Sequence, residues 1–284
     1  IGWSLWQLTK NPNLRIAIGA ATIEDGEGIL AEIVEHITHN PRFIELYGNW
    51  CRKGNWTSTS IVIAPRTKAH RNATIEIVSV GKDVTGSHYD IIILDDIANR
   101  KNSKTAVERQ KQIDLYQDCG DLIVEDETKG IIILVGTRWH FSDVYDFVMT
   151  KDKASFDFMI DRPQILNPTL ETKDPKNWRK QIKLLLEHPD SVPIWNRYSI
   201  KDIKEVYKLK GTYEFSCQRM NHPTADEDSA FKPDDIQFID KIPPDIDITW
   251  YLLVDTAGVD NEYAKSDDWA CVTAGIDRNN TIYV

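Results

Sequence analysis

The sequence is poor in cysteine, has no long apolar run and is short of positive charge. Its four cysteines, Cys51, Cys119, Cys217 and Cys271, are isolated and widely spaced. With no C-x-x-C pair and no Cys/His cluster there is no zinc-binding pattern, and this usage fits a reducing cytosol. The longest aliphatic runs are four or five residues, where a membrane-spanning helix needs about 20. No secretory signal is visible, and no internal repeat or low-complexity tract occurs. Lys and Arg number 34 against 44 Asp and Glu, a net charge of −10. That argues against a protein dedicated to coating nucleic acid. It leaves room for an enzyme that grips DNA through a local basic surface, because carboxylate-rich sites can dominate the sum.

What is present is an ordinary globular composition. The chain has 284 residues, 41% of them hydrophobic, enough for a sizeable core and one to three domains. It opens Ile1-Gly-Trp rather than on Met, so the expectation is a piece of a longer protein.

Short aliphatic runs set the rhythm. Arg15 to Ala20 reads as a buried strand, and Ile29, Leu30, Ile33, Val34 and Ile37 fall on one helical face that Asn40-Pro41 closes. Ser60 to Ala64 and Thr74 to Val80 read as strands. Ile91-Ile-Ile-Leu94 and Ile131-Ile-Ile-Leu-Val135 read as strands buried on both faces. Thr105-x-x-Glu108 is a capping-box pattern for a helix running toward Gln117. Strands alternating with helical segments predict an α/β fold with a parallel sheet. From Lys151 the texture turns to prolines and charges, with one helical stretch at Trp178 to Leu186. A third aliphatic strand begins at Ile248, and Asp277 to Asn280 are hairpin-turn residues between Cys271–Ile276 and Thr281–Val284. The domains read from this are 1–150, a linker subdomain over 151–245, and the opening of another domain over 246–284.

The candidate chemistry lies at strand ends, where open parallel sheets bind ligands. Asp95 and Asp96 follow the first buried run, and Thr137 and Arg138 follow the second. Because successive side chains on an extended strand point to opposite faces, adjacent carboxylates divide two tasks. One holds a hard cation such as Mg²⁺, and the other orients or deprotonates a water. The plainer alternative is that both aspartates end the strand and cap the next turn. Asp255, ahead of Thr-Ala-Gly, repeats the pattern with Asp268 thirteen positions on, and a turn residue is the alternative for each. Lys201, Lys204, Lys208 and Lys210 either face DNA phosphates or form a solvated helix face among interleaved acids. Trp3, Trp6, Trp50, Trp56 and Trp178 read as core or interface aromatics.

Together these stretches resemble a known family. Asp95-Asp96 looks like the Walker B end of a P-loop ATPase. Ile132 to His140, followed by Ser142-Asp143, resembles the coupling motif of the large terminase subunits, the DNA-packaging motors of tailed bacteriophages. Thr85-Gly-Ser-His-Tyr-Asp90 and Phe215 to Pro223 fit the same ordered series. The resemblance implies a P-loop ATPase core with helices on both sheet faces, a small linker or lid subdomain, and the first strands of an RNase H-like nuclease domain. It implies that Asp95 holds Mg²⁺ on ATP, that Asp96 is the base, and that Thr137 reports the γ-phosphate. Arg138 either contacts phosphate or serves structurally, and Trp139 and His140 pack. At the nuclease site, Asp255 and Asp268 would hold Mg²⁺ or Mn²⁺.

The implied activity is ATP-driven translocation of double-stranded DNA into a procapsid, with endonucleolytic cutting of the concatemer. The implied partners are double-stranded DNA, the portal protein, the small terminase subunit and further copies in a ring on the portal, with no membrane. The setting is the host cell cytoplasm. Two departures stand out. The family usually has Asp-Glu where this chain has Asp95-Asp96, and no G-x-x-x-x-G-K or G-K-S/T loop occurs. The expectation is therefore a fragment without that loop and most of the nuclease domain, inactive by itself. A P-loop helicase without nuclease activity, and a non-catalytic DNA-binding protein on a degenerate ATPase fold, are the alternatives.

Overall fold

A computed structural model of the chain describes residues 1–52, 54, 56–81, 86–124, 130–156, 164–167, 178–223, 239, 241–242, 246–255, 270–278 and 281–284, without the side chains of 178–180, 255 and 270. The chain divides into two compact units, Ile1–Ala230 and Phe231–Val284.

The first unit is built on five strands: β1 (Ile16–Ala20), β2 (Ser60–Ile61), β3 (Ile75–Ser79), β4 (Ile91–Asp95) and β5 (Ile131–Val135). They lie in the order β2-β3-β1-β4-β5. β3, β1, β4 and β5 run parallel, and the short β2 pairs antiparallel with β3. Strand alternation sorts the side chains into two cores. Ile16, Ile18, Ile75, Ile77 and Ile91 enter one, and Ala17, Val78, Ile92 and Leu94 the other.

Five helices accompany this sheet: α1 (Gly2–Lys10), α2 (Ile23–His39), α3 (Pro41–Tyr47), α4 (Ala106–Leu122) and α5 (Val144–Lys151). Leu5 and Leu8 of α1 and Leu30, Ile33 and Ile37 of α2 seal the first core. Leu115, Cys119 and Leu122 of α4 and Val144 and Val148 of α5 seal the second. The result is a three-layer α/β unit with helices on both faces of a mostly parallel sheet. Each fully buried isoleucine or leucine is worth about 1.5–3 kcal/mol of transfer free energy, so this double core dominates the stability.

Thr22 starts α2, its hydroxyl oxygen accepting the Asp25 N–H. Asn40 ends α2 and caps α3 with its side chain. Thr105 caps α4 by accepting the Glu108 N–H, as the sequence pattern predicts. The apolar period of α4 is blurred because its buried face includes the polar Gln112, which donates to Asn102 and Ser103.

Two strands differ from expectation. Only Ser60–Ile61 of the Ser60–Ala64 run pairs in the sheet. β5 is an edge strand of the described sheet, half-exposed rather than buried on both faces, with Ile131 47% and Val135 50% accessible. An aliphatic run specifies a strand but not its place in the strand order.

The stretch after α5 adds β6 (Ile165–Leu166), α6 (Trp178–Glu187), β7 (Val192–Pro193) and α7 (Ile200–Met220). Ile165, Ile182, Leu185, Leu186, Ile203, Phe215 and Met220 form a small core of their own. Ser199 and Asp202 close a capping box on α7. Gly211, at φ 74° and ψ 176°, kinks this helix into two segments, a conformation essentially restricted to glycine. The sequence predicts α6, whereas α7, which carries the lysine stretch on its first half, runs on to Met220.

In the second unit β8 (Ile248–Asp255), β9 (Ala270–Asp277) and β10 (Ile282–Tyr283) form an antiparallel sheet in the order β10-β9-β8. Of the predicted turn, Asn279 and Asn280 lie outside the described residues, and Asp277 bridges β9 to β10. Its Oδ1 accepts the Thr281 N–H at 2.8 Å, and its Oδ2 accepts the Tyr283 hydroxyl at 3.2 Å. Among the described residues, no helix is long and apolar enough to cross a membrane.

Candidate active site

The carboxyl ends of the parallel strands open onto a common edge, the usual ligand position in such sheets. In register, Asp95 at the end of β4 lies beside Val135 at the end of β5. Asp96, one residue past Asp95, and Thr137, two past Val135, join Asp95 in lining a cleft of about 640 Å³. The remaining walls include Ala20, Ala21 and Asp25 at the start of α2, Asn99 after β4, and Gln218 and Arg219 from α7.

Asp95 and Asp96 do not diverge to opposite faces, as an extended strand would require. Asp96 has left the strand conformation, with φ at +46°, a region that Asp tolerates better than most residues. Its N–H donates to Val135 O at 2.9 Å, and its carboxylate accepts the Thr137 N–H. Both carboxylates therefore serve one cleft. Burial pushes the Asp96 carboxyl above the usual aspartate range, the neighbouring Asp95 charge adds to this, and the Thr137 N–H opposes it. A carboxylate whose ionisation is disfavoured by burial and by a neighbouring charge makes a site that a cation would relieve.

Gly136 lies between these groups, and there is no room for a side chain. A Cβ there would collide with the Tyr145 hydroxyl and stand 3.1 Å from Asp96 Oδ1. Tyr145 donates to Val135 O at 3.2 Å, and burial pushes its own pKa up. Beyond Asp96, Asn99 and Asn102 fold the loop through reciprocal side-chain bonds. Asn99 Oδ1 accepts from the Lys101 and Asn102 amides, and Asn102 Oδ1 accepts from Asn99 N–H.

The turn after β5 is organised by Asp143, whose side chain is fully buried. Its carboxylate accepts the N–H groups of Trp139 (3.0 Å), His140 (3.2 Å) and Asp146 (2.9 Å). Burial nonetheless raises its pKa, against those bonds and Arg138. Arg138 is a brace here: its Nη2 donates to Asp146 Oδ1 at 2.8 Å, and its Nε stands 3.7 Å from Asp143 Oδ1. It is not among the cleft's described lining. Trp139 is buried in the core beside α4 and α5 and also borders the cleft. His140 Nδ1 accepts the Ser142 N–H, and burial, then Arg109 and Arg138, push its pKa down to about 4.

The second half of α7 forms a wall that local sequence signals do not reveal. Asn221, in the left-handed cap of this helix, accepts the Arg138 N–H at 2.9 Å. Tyr213 donates its hydroxyl to Trp139 O at 3.0 Å, and Glu214 pairs with Arg100 at 2.7 Å. These contacts bring Gln218 and Arg219 to the cleft about 80 residues after Thr137 in the chain. Their only signal in the sequence is membership of the Phe215–Pro223 stretch.

Asp255 closes β8 by its backbone. Its side chain, Asp268 and Thr85 lie outside the described residues. Among the described residues no three His, Cys, Asp or Glu side chains converge to hold a metal by themselves. The Asp95–Asp96 pair nonetheless fits Mg²⁺, which is commonly held by one or two carboxylates together with substrate phosphates and water. Compared with models of known protein families and with curated proteins, the chain matches none.

Proposed function

We propose that this chain is part of a DNA-packaging motor of the large-terminase kind, and that the cleft at Asp95 hydrolyses ATP. The observation that carries the reading is the convergence of Asp95, Asp96 and Thr137 in one cleft at the carboxyl edge of a parallel sheet. The ordered sequence resemblance assigns those same three residues to metal binding, water activation and phosphate sensing.

In this reading Asp95 holds Mg²⁺, which when bound neutralises phosphate charge. Asp96 orients the attacking water and accepts its proton. Burial and the neighbouring Asp95 charge raise the pKa of Asp96, which makes it a stronger base than an ordinary aspartate. Thr137 lies within the same strand-end turn, so a change at the terminal phosphate reaches Arg138 and the Asp143 network through one peptide unit. The phosphates would be cradled in part by a glycine-rich loop that this sequence does not contain.

The proposed task of the intact protein is to drive double-stranded DNA into a procapsid, as a ring on the portal fed by a small terminase subunit, in the host cytoplasm. A second site at Asp255 and Asp268 would cut DNA with Mg²⁺ or Mn²⁺. The test uses the protein that carries this chain. Asp95→Ala should abolish ATP hydrolysis and leave DNA cleavage intact, whereas Asp255→Ala should abolish cleavage and leave hydrolysis intact. Loss of both activities from either change, or of neither, overturns the assignments.

A further inference from the structure

Arg219 is the one cationic side chain on the cleft's described lining, which it shares with Asp95 and Asp96. Its Nε is buried and has no hydrogen-bond partner among the described residues. The described ion pairs nearby run Arg138–Asp143, Arg138–Asp146 and Arg100–Glu214, and none engages Arg219. A buried guanidinium N–H without an acceptor is an unusual state for a group that seeks bidentate anionic partners. The backbone around it is fixed on both sides. Arg219 O accepts the Gln164 N–H, and Asn221 accepts the Arg138 N–H at 2.9 Å. Its neighbours Phe215 and Met220 are rooted in the small core with Ile165, Ile182 and Ile203, while Cys217 faces the core under the Asp95 strand.

We propose that Arg219 is a phosphate-binding residue that grips the terminal phosphate of a Mg²⁺-bound nucleoside triphosphate in this cleft. Residues 212–220 thereby carry the nucleotide state to the Ile165–Ile182–Ile203 core. The proposal rests on the reading of the cleft as a nucleotide site. Arg219 supplies the positive charge that the aspartate pair lacks, and its planar fork matches phosphate oxygens. Gly211 separates its half-helix from the first half of α7, so the fixed second half presents Arg219 to the cleft independently of the first.

Calorimetric titration of the protein that carries this chain, with Mg·AMP-PNP and with Mg·ADP, tests the proposal. A charge-assisted bond to a terminal phosphate predicts that Arg219→Gln weakens Mg·AMP-PNP binding by about ten- to a hundredfold. Mg·ADP affinity should change by less than about threefold, and Arg219→Lys should recover part of the loss. Hydrogen exchange of the 212–220 amides should be slower with Mg·AMP-PNP than with Mg·ADP in the unaltered protein and alike in Arg219→Gln. Equal weakening of both nucleotides, or of neither, in a variant with an unchanged unfolding transition overturns the assignment of Arg219 alone. Failure of the unaltered protein to bind either nucleotide overturns the nucleotide reading itself.

Discussion

Asp96 shows how one backbone angle sets the chemistry of a site. At φ +46° it leaves β4, brings its carboxylate beside that of Asp95, and takes the Thr137 N–H. The doublet signalled a site, but the alternation rule for strands assigned the two carboxylates to opposite faces. It failed because the strand ends at Asp95. Arg138 illustrates the opposite case: a cation next to the candidate sensor is occupied by Asp143 and Asp146.

His140 supplies a test at the same scale. Its pKa is pushed down to about 4 by burial, Arg109 and Arg138, against about 6.5 in an unfolded chain. Between those values the unfolded chain binds a proton that the folded chain refuses, so this residue's contribution to stability is present near pH 7. It is lost as pH falls from about 6.5 toward about 4. Thermal unfolding at pH 7.5 and pH 5 should show a smaller acid-induced drop in Tm for His140→Gln than for the unaltered protein. Equal drops would show that His140 is not held neutral by the fold.

At the scale of elements, β1, α2, β3, β4, β5 and α4 were legible because each carries its own signal: an aliphatic run, a helical stripe or a cap. The second half of α7 was not, since the helix-face reading of Lys201 to Lys210 stops at Gly211, where the helix kinks. Its decisive contacts, Asn221 to Arg138 and Tyr213 to Trp139, join residues more than 70 positions apart. No local pattern encodes them. The edge position of β5 was equally hidden, because edge and interior strands share one composition. The break at Gly211 has a measurable consequence. At φ 74° and ψ 176° an alanine is strained by about 1–3 kcal/mol. Gly211→Ala should lower the urea midpoint accordingly, and an unchanged or higher midpoint would mean that the two halves of α7 can straighten at no cost.

At the scale of the molecule, a net charge of −10 does not describe the local charge of the cleft, where Asp95 and Asp96 share the lining with Arg219. On the proposed reading a bound cation and Arg219 would balance the acidic pair, so the overall sign says little about the site. The α/β class with a mostly parallel sheet followed from the alternation of strands and helices. The chemistry at Asp255 did not become more definite, since its side chain and Asp268 lie outside the described residues.

The proposed binding and hydrolysis of Mg·ATP in the Asp95–Asp96 cleft can be measured by steady-state hydrolysis with parallel nucleotide titration. In the protein that carries this chain, Asp95→Asn should lose Mg²⁺-dependent nucleotide binding and hydrolysis together. Asp96→Asn should keep binding within about threefold and lose hydrolysis by about a hundredfold or more, the scale of a missing general base. Hydrolysis at the unaltered rate in either variant would show that this cleft is not where ATP is hydrolysed.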